Sequence, residues 1–130
     1  MSVGDQVQGP GRRLATVAGV AYALPIFTFL VWTTRIRNIV ADEWTLPELI
    51  VPVGLTVLAV AALVRRRPWL PALAAATVAV WLVRVPLVLV RDHGVGFKVV
   101  HVVLAAASVA LACAAWRSVS RPAPEAASRA

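Results

Sequence analysis

WLPALAAATVAVWLVRVPLVLVRDHGVGFKVVHVVLAAASVALACAAW, residues 69–116, consists of two apolar runs separated by a short polar turn. The first run, 69–90, holds one charge, Arg84; the second, 97–116, has Lys98 and His101 near its start. Each run matches the roughly 20 apolar residues that a helix needs to cross a bilayer. Arg91-Asp92-His93-Gly94-Val95-Gly96 supplies the reversal between them. The stretch therefore reads as a membrane hairpin with a charge inside it. An arginine in hydrocarbon costs about 2.5 to 17 kcal/mol, depending on how far it snorkels, so Arg84 requires a partner, water or a route to the surface.

Composition agrees with a membrane setting. Of the 130 residues 60% are hydrophobic, against roughly 45 to 50% in an ordinary soluble domain, and the mean hydropathy is +0.80. The formal charge of +7 does not point to nucleic acid, because the basic residues punctuate apolar runs and form no stripe on a soluble fold. They read as topology signals and headgroup contacts, worth about 1 kcal/mol each near an anionic surface. Among the 13 basic residues Lys98 is the only lysine, which, with the richness in alanine and valine, matches the coding bias of a high-GC bacterial genome. A single cysteine, Cys113, allows no intramolecular disulfide and no Cys-x-x-Cys pair. Together with two histidines it also makes a zinc site within one chain a poor reading.

Working outward, Arg65-Arg66-Arg67-Pro68 precedes the hairpin and ends another apolar run, 46–64. That run opens with Thr45-Leu46-Pro47-Glu48, the pattern of a capping box: threonine as N-cap, proline in the first turn and glutamate three residues on. Before it, Arg35 to Trp44 is too polar to continue a span and is expected as a loop. The first apolar run, 14–34, follows Arg12-Arg13. Ala21-Tyr22-Ala23 resembles a signal-peptidase site, but the run continues well past it and fits a span better than a short h-region. Ala15, Gly19 and Ala23 recur every four residues, the small-xxx-small spacing that lets helices approach closely, and Pro25 is placed to kink this helix.

The fold expected is all-α: a four-helix transmembrane bundle of two antiparallel hairpins. Its spans are 14–34, 46–64, 69–90 and 97–116, within a transmembrane domain at 14–117. Residues 1–13 and 118–130 are expected as disordered cytoplasmic tails. Arg12, Arg13, Arg65, Arg66, Arg67, Arg117, Arg121 and Arg129 fall on one side of the membrane; Arg35, Arg37, Arg91 and Lys98 fall on the other. The excess puts both termini in the cytoplasm. Trp32, Trp44, Trp69 and Trp116 are then expected at the interfaces as an aromatic belt.

This topology gathers the intramembrane polar residues at the outer end. Arg84 lies about 10 Å below that end and His101 about 6 Å below the start of its helix, at 1.5 Å per residue. Because side chains on a helix lean toward its N-terminus, Arg84 leans inward, toward Trp81 one turn away. A cation-π contact there supplies about 0.5 to 2 kcal/mol, too little to solvate a guanidinium in lipid. Glu48 is the one carboxylate at comparable depth, and Thr28 and His101 are the other polar groups. The candidate site is thus Arg84, Glu48, His101 and Trp81, either as a structural Arg84–Glu48 bridge or as a pocket whose arginine receives an anion. Arg65, Arg66, Arg67 and Lys98 are candidates for headgroup contacts. His101, Ala105, Ser108 and Ala112 share one face of the last helix. His101 has no intramembrane histidine or methionine to pair with, so a bis-ligated haem within one chain is not expected.

Trp81-Leu82-Val83-Arg84-Val85-Pro86 and His93-Gly94-Val95-Gly96-Phe97-Lys98-Val99-Val100-His101, in a chain of this length with a triple-arginine turn, resemble the uncharacterised small four-helix integral membrane proteins of high-GC Gram-positive bacteria. That resemblance implies a fold and no activity. In size the chain also looks like the small multidrug transporters, but it has Tyr22 to Pro25 where those carry a mid-helix glutamate. It is similar in size to the small fluoride channels but lacks their asparagine-containing helices.

No nucleophile–base pair, metal cluster or cofactor motif stands out. The function expected is that of a non-enzymatic, multi-pass protein of the bacterial cytoplasmic membrane, acting as an accessory or assembly subunit. The alternative is a small-solute or lipid-binding, transporter-like protein with an anion or headgroup site around Arg84. Partners expected are membrane lipids and either a membrane-protein partner or further copies of the chain, with no nucleic acid.

Overall fold

Backbone polar groups have no water to bond in hydrocarbon, so a chain of this composition must satisfy them within helices. The computed structural model describes residues 10–42 and 45–121, and the side chains of these except 10, 12–18, 66 and 67. It contains four helices: α1, Pro10–Ala41; α2, Leu46–Val64; α3, Arg66–Val90; and α4, Val95–Ser120. Each includes a stretch long and apolar enough to cross a membrane: Gly19–Ala41, Leu46–Val64, Pro68–Val90 and Val95–Ser120. The chain is a multi-pass membrane protein built as a helix bundle. Its surface agrees, because Val57, Val64, Leu82, Val83, Val90 and Val103 all face outward, which suits lipid and would be a liability in water.

Several helix ends depart from the hydropathy reading. The loop expected from Arg35 is helical to Ala41, because arginine is a good helix former and a drop in hydropathy ends a span without ending a helix. Pro10–Arg13 and Ser118–Ser120, expected in the tails, are likewise helical. The arginine turn shrinks to Arg65 alone, which caps α2 and precedes α3 directly, with its N–H donating to the Ala61 carbonyl at 2.8 Å. Arg65 is exposed there; the headgroup role expected of Arg66 and Arg67 falls on side chains outside those described. Thr45 is the N-cap of α2, as the sequence reading has it, yet neither side-chain bond of a capping box forms from it. The Glu48 N–H donates instead to the Thr45 carbonyl, at 3.1 Å.

Each helix packs beside its neighbours in the chain, α4 closes against α1, and α1 also meets α3 across the bundle. Among the described residues α2 and α4 do not touch. The buried seams are short-sided. On α4 the seam is Ala105, Ser108, Ala112 and Ala115, and on α2 it is Pro52, Leu55, Ala59 and Ala62. Both follow the 3-4-3 spacing of a heptad, and small side chains let the backbones come close. On the first helix nothing lies within 4 Å of a Cβ built at Gly19; of the expected packing stripe, Ala23 is half-buried and the Ala15 side chain lies outside those described. Leu24, Leu70 and Leu73 fill the centre. Trp32 is 3% exposed, so it is a core residue and not a member of an interfacial belt; Trp69 and Trp116 are exposed, and Trp44 lies outside the described residues.

Three hydroxyls inside the spans turn back onto their own helices, which satisfies a donor in lipid. Thr34 Oγ1 donates to the Leu30 carbonyl, Thr56 Oγ1 to Pro52 and Ser108 Oγ to Leu104, at 2.7 to 2.8 Å. Thr77 differs from these three: its buried Oγ1 has no hydrogen-bond partner among the described residues.

Candidate functional site

Arg84 sits six residues before the end of α3 and is half-buried. Its guanidinium carbon lies over the indole of Trp32, 5.6 Å from the ring centroid. Trp32 in turn packs on Trp81, with centroids 6.3 Å apart and planes tilted by 46°. The expected contact between Arg84 and Trp81 is therefore corrected. Trp81 is turned into the core, 4% exposed, and braces the tryptophan of α1 that carries the arginine. This stack is part of what joins α1 to α3 across the bundle. It supplies about 0.5 to 2 kcal/mol of attraction, which leaves most of the cost of an intramembrane cation to be met elsewhere.

Beside the stack is a cavity of about 460 Å³, walled by three helices. Arg35 comes from α1, Glu48 and Pro52 from α2, and Val80, Arg84 and Leu87 from α3. Arg84 and Glu48 thus face one space, but no ion pair within 4 Å joins them. Arg35 lines the same space as Arg84 and carries the same sign of charge. Pro52 has no N–H to give to the Glu48 carbonyl one turn back, which leaves an extra acceptor at this wall. The first turn of α2 contributes the positive end of a helix dipole. Two guanidinium groups and a helix N-terminus against one carboxylate make a space that favours an oxyanion.

His101 is not part of this wall. Its Nδ1 lies 2.9 Å from the Phe97 carbonyl of its own helix, and its ring stacks on Phe97 at 4.0 Å, with His93 on Phe97 at 4.6 Å. Lys98, a candidate for headgroup contact, directs Nζ to the Leu89 carbonyl at 2.9 Å; this meets one of the unpaired acceptors at the end of α3. Among the described residues no three of His, Cys, Asp and Glu gather.

Two residues of the site escaped the sequence reading, Trp32 and Arg35. Both were displaced by ending the first helix at Thr34, which made one an interfacial anchor and the other a loop charge. Their spacing of three places them on one helix face, and that signal was present. Comparison of the chain with protein-family models, with curated proteins and with solved structures finds no match.

Proposed function

We propose that the chain is a non-catalytic, multi-pass protein of the bacterial cytoplasmic membrane whose working part is an anion-accepting cavity formed by Arg35 and Arg84. One observation carries the reading: Arg84 is held inside a span, over Trp32, with Arg35 on the same cavity and, among the described residues, no acid within 4 Å. A cation so placed is stabilised by an anion from outside the chain, and a phosphate or carboxylate matches two guanidinium forks. Membrane placement adds that two antiparallel hairpins leave both termini in the cytoplasm, supported by the excess of arginine at the termini and at Arg65 to Arg67. The cavity then belongs to the outer leaflet.

The same unneutralised pair of arginines supports a second reading, the accessory or assembly subunit, in which the anion is a carboxylate on a partner's helix. Thermal unfolding of the purified protein in neutral detergent separates the two. Inorganic phosphate should raise the melting temperature of the wild type and leave Arg84→Gln unmoved, and phosphatidylglycerol should raise the wild type by more than it raises Arg84→Gln. If neither anion acts on the wild type, the cavity is not a site for small or lipid anions. A partner retained by the wild type and lost from Arg84→Gln during purification then supports the subunit reading.

A further inference from the structure

A second groove, of about 470 Å³, runs between α3 and α4 at the other end of the bundle. Ala75, Val78 and Leu82 line it from α3, and Cys113, Trp116 and Arg117 from α4. Its walls are apolar except at Arg117, in the last turn of α4. Ala75, Leu82, Cys113, Trp116 and Arg117 are all exposed, so the groove opens on the outer surface of the bundle, where lipid lies.

Its position relative to the bilayer is informative. Ala79 lines both this groove and the Arg84 cavity, and it is the midpoint of the span Pro68–Val90. The two spaces therefore overlap at the middle of α3, and the groove extends from there toward the Arg117 end. From Ala74 to Leu82 the groove follows α3 for about 12 Å, of which about 7.5 Å lies on the Arg117 side of Ala79, half of the roughly 15 Å of hydrocarbon in one leaflet. The groove lies between two helices that are in contact with each other, and its walls are apolar over most of their length. An unbranched hydrocarbon chain suits such a groove. At the mouth, Arg117 is a fork for a phosphate diester, and Trp116 has the amphipathic ring that suits the headgroup level.

We propose that this groove binds one acyl chain of an anionic glycerophospholipid from the leaflet on the Arg117 side, with the lipid phosphate on Arg117. The site is separate from the Arg84 cavity and does not depend on the function assigned to it.

Cys113 is the chain's single cysteine and lines the groove, so its rate of modification by a maleimide reports occupancy. The full chain is delipidated in a neutral detergent and titrated with phosphatidylglycerol. Modification should slow by about tenfold at a lipid concentration ten times Kd, the occupancy arithmetic of a blocked site. Glycerol phosphate, which has the head but no chain, should give no protection, and phosphatidylcholine should give much less. Arg117→Gln should weaken the protection and Ala75→Phe, which fills an exposed part of the groove, should remove the lipid dependence. Arg84→Gln should leave the protection as in the wild type. The proposal is overturned by any of four results: no slowing with phosphatidylglycerol, equal protection by glycerol phosphate, equal protection by phosphatidylcholine, or lipid-dependent protection that survives both groove variants. Loss of protection in Arg84→Gln alone would place the lipid at the other cavity and overturn it as well.

Discussion

The guanidinium of Arg84 rests over the ring of Trp32, 5.6 Å from its centroid, and not over Trp81, which lies one turn before it on the same helix. A charge on α3 is thereby supported by an aromatic face from α1, with Trp81 packed against that ring at 6.3 Å. Helix pairing across the bundle and accommodation of the charge are one arrangement.

That arrangement predicts an energetic coupling between Arg84 and Trp32. In a double-mutant cycle with Arg84→Met and Trp32→Leu, unfolding in detergent should give a coupling of about 0.5 to 2 kcal/mol. Trp32→Phe should retain part of it, since a ring face remains. Strict additivity of the two substitutions would show that the contact contributes nothing.

Arg84 and Glu48 share a cavity without an ion pair, so their own cycle should behave differently. With Arg84→Gln and Glu48→Gln the coupling should stay within the roughly 0.3 to 0.5 kcal/mol over which independent sites add. A coupling of several kcal/mol would mean that the side chains close into a bridge.

Two like charges at one cavity make stability and binding oppose each other. Arg35→Gln removes one of the two like charges that line the cavity, so in anion-free, low-salt detergent it should raise the unfolding midpoint, while affinity for phosphate falls. Salt should shrink the stabilisation, because exposed charges are screened. A variant that loses stability and keeps full affinity would contradict the site.

Thr77 carries a buried hydroxyl without a partner among the described residues. Thr77→Val keeps the shape and removes the polar atom, and should stabilise the bundle by about 1 to 3 kcal/mol, the cost of an unsatisfied buried group. Steric-trapping or detergent unfolding of the pair of proteins measures it; a destabilised valine variant would reveal a bonded hydroxyl in the membrane.

The membrane topology has its own test. In a Cys113→Ser background, cysteine introduced at Ala41 or Val95 should react with an impermeant maleimide in intact cells stripped of outer layers, and cysteine at Arg66 only after lysis. Equal reaction at all three positions in intact cells would exclude a single orientation.

Reading residues in order was enough to place four membrane-crossing helices, because lipid leaves a long apolar run almost no other way to satisfy its backbone. Thr45 as the start of α2, and Val64 and Val90 as the last residues of α2 and α3, were legible from local chemistry. So was the problem that Arg84 presents, since a charge inside an apolar run is conspicuous whatever surrounds it. The direction each helix face points was not legible. In a soluble protein the apolar stripe marks the inward side, but here valine and leucine line the lipid surface and the core alike, so periodicity does not distinguish them. Packing between small-residue seams sets those rotations, and it alone decided that Trp32 meets Arg84, that Arg35 and Glu48 share its cavity, the latter without bridging, and that His101 is turned onto Phe97. The sequence by itself determined that a cation lies within the membrane; the tertiary structure decided what it touches, because helix rotation is fixed by contacts between helices and not by hydropathy along one.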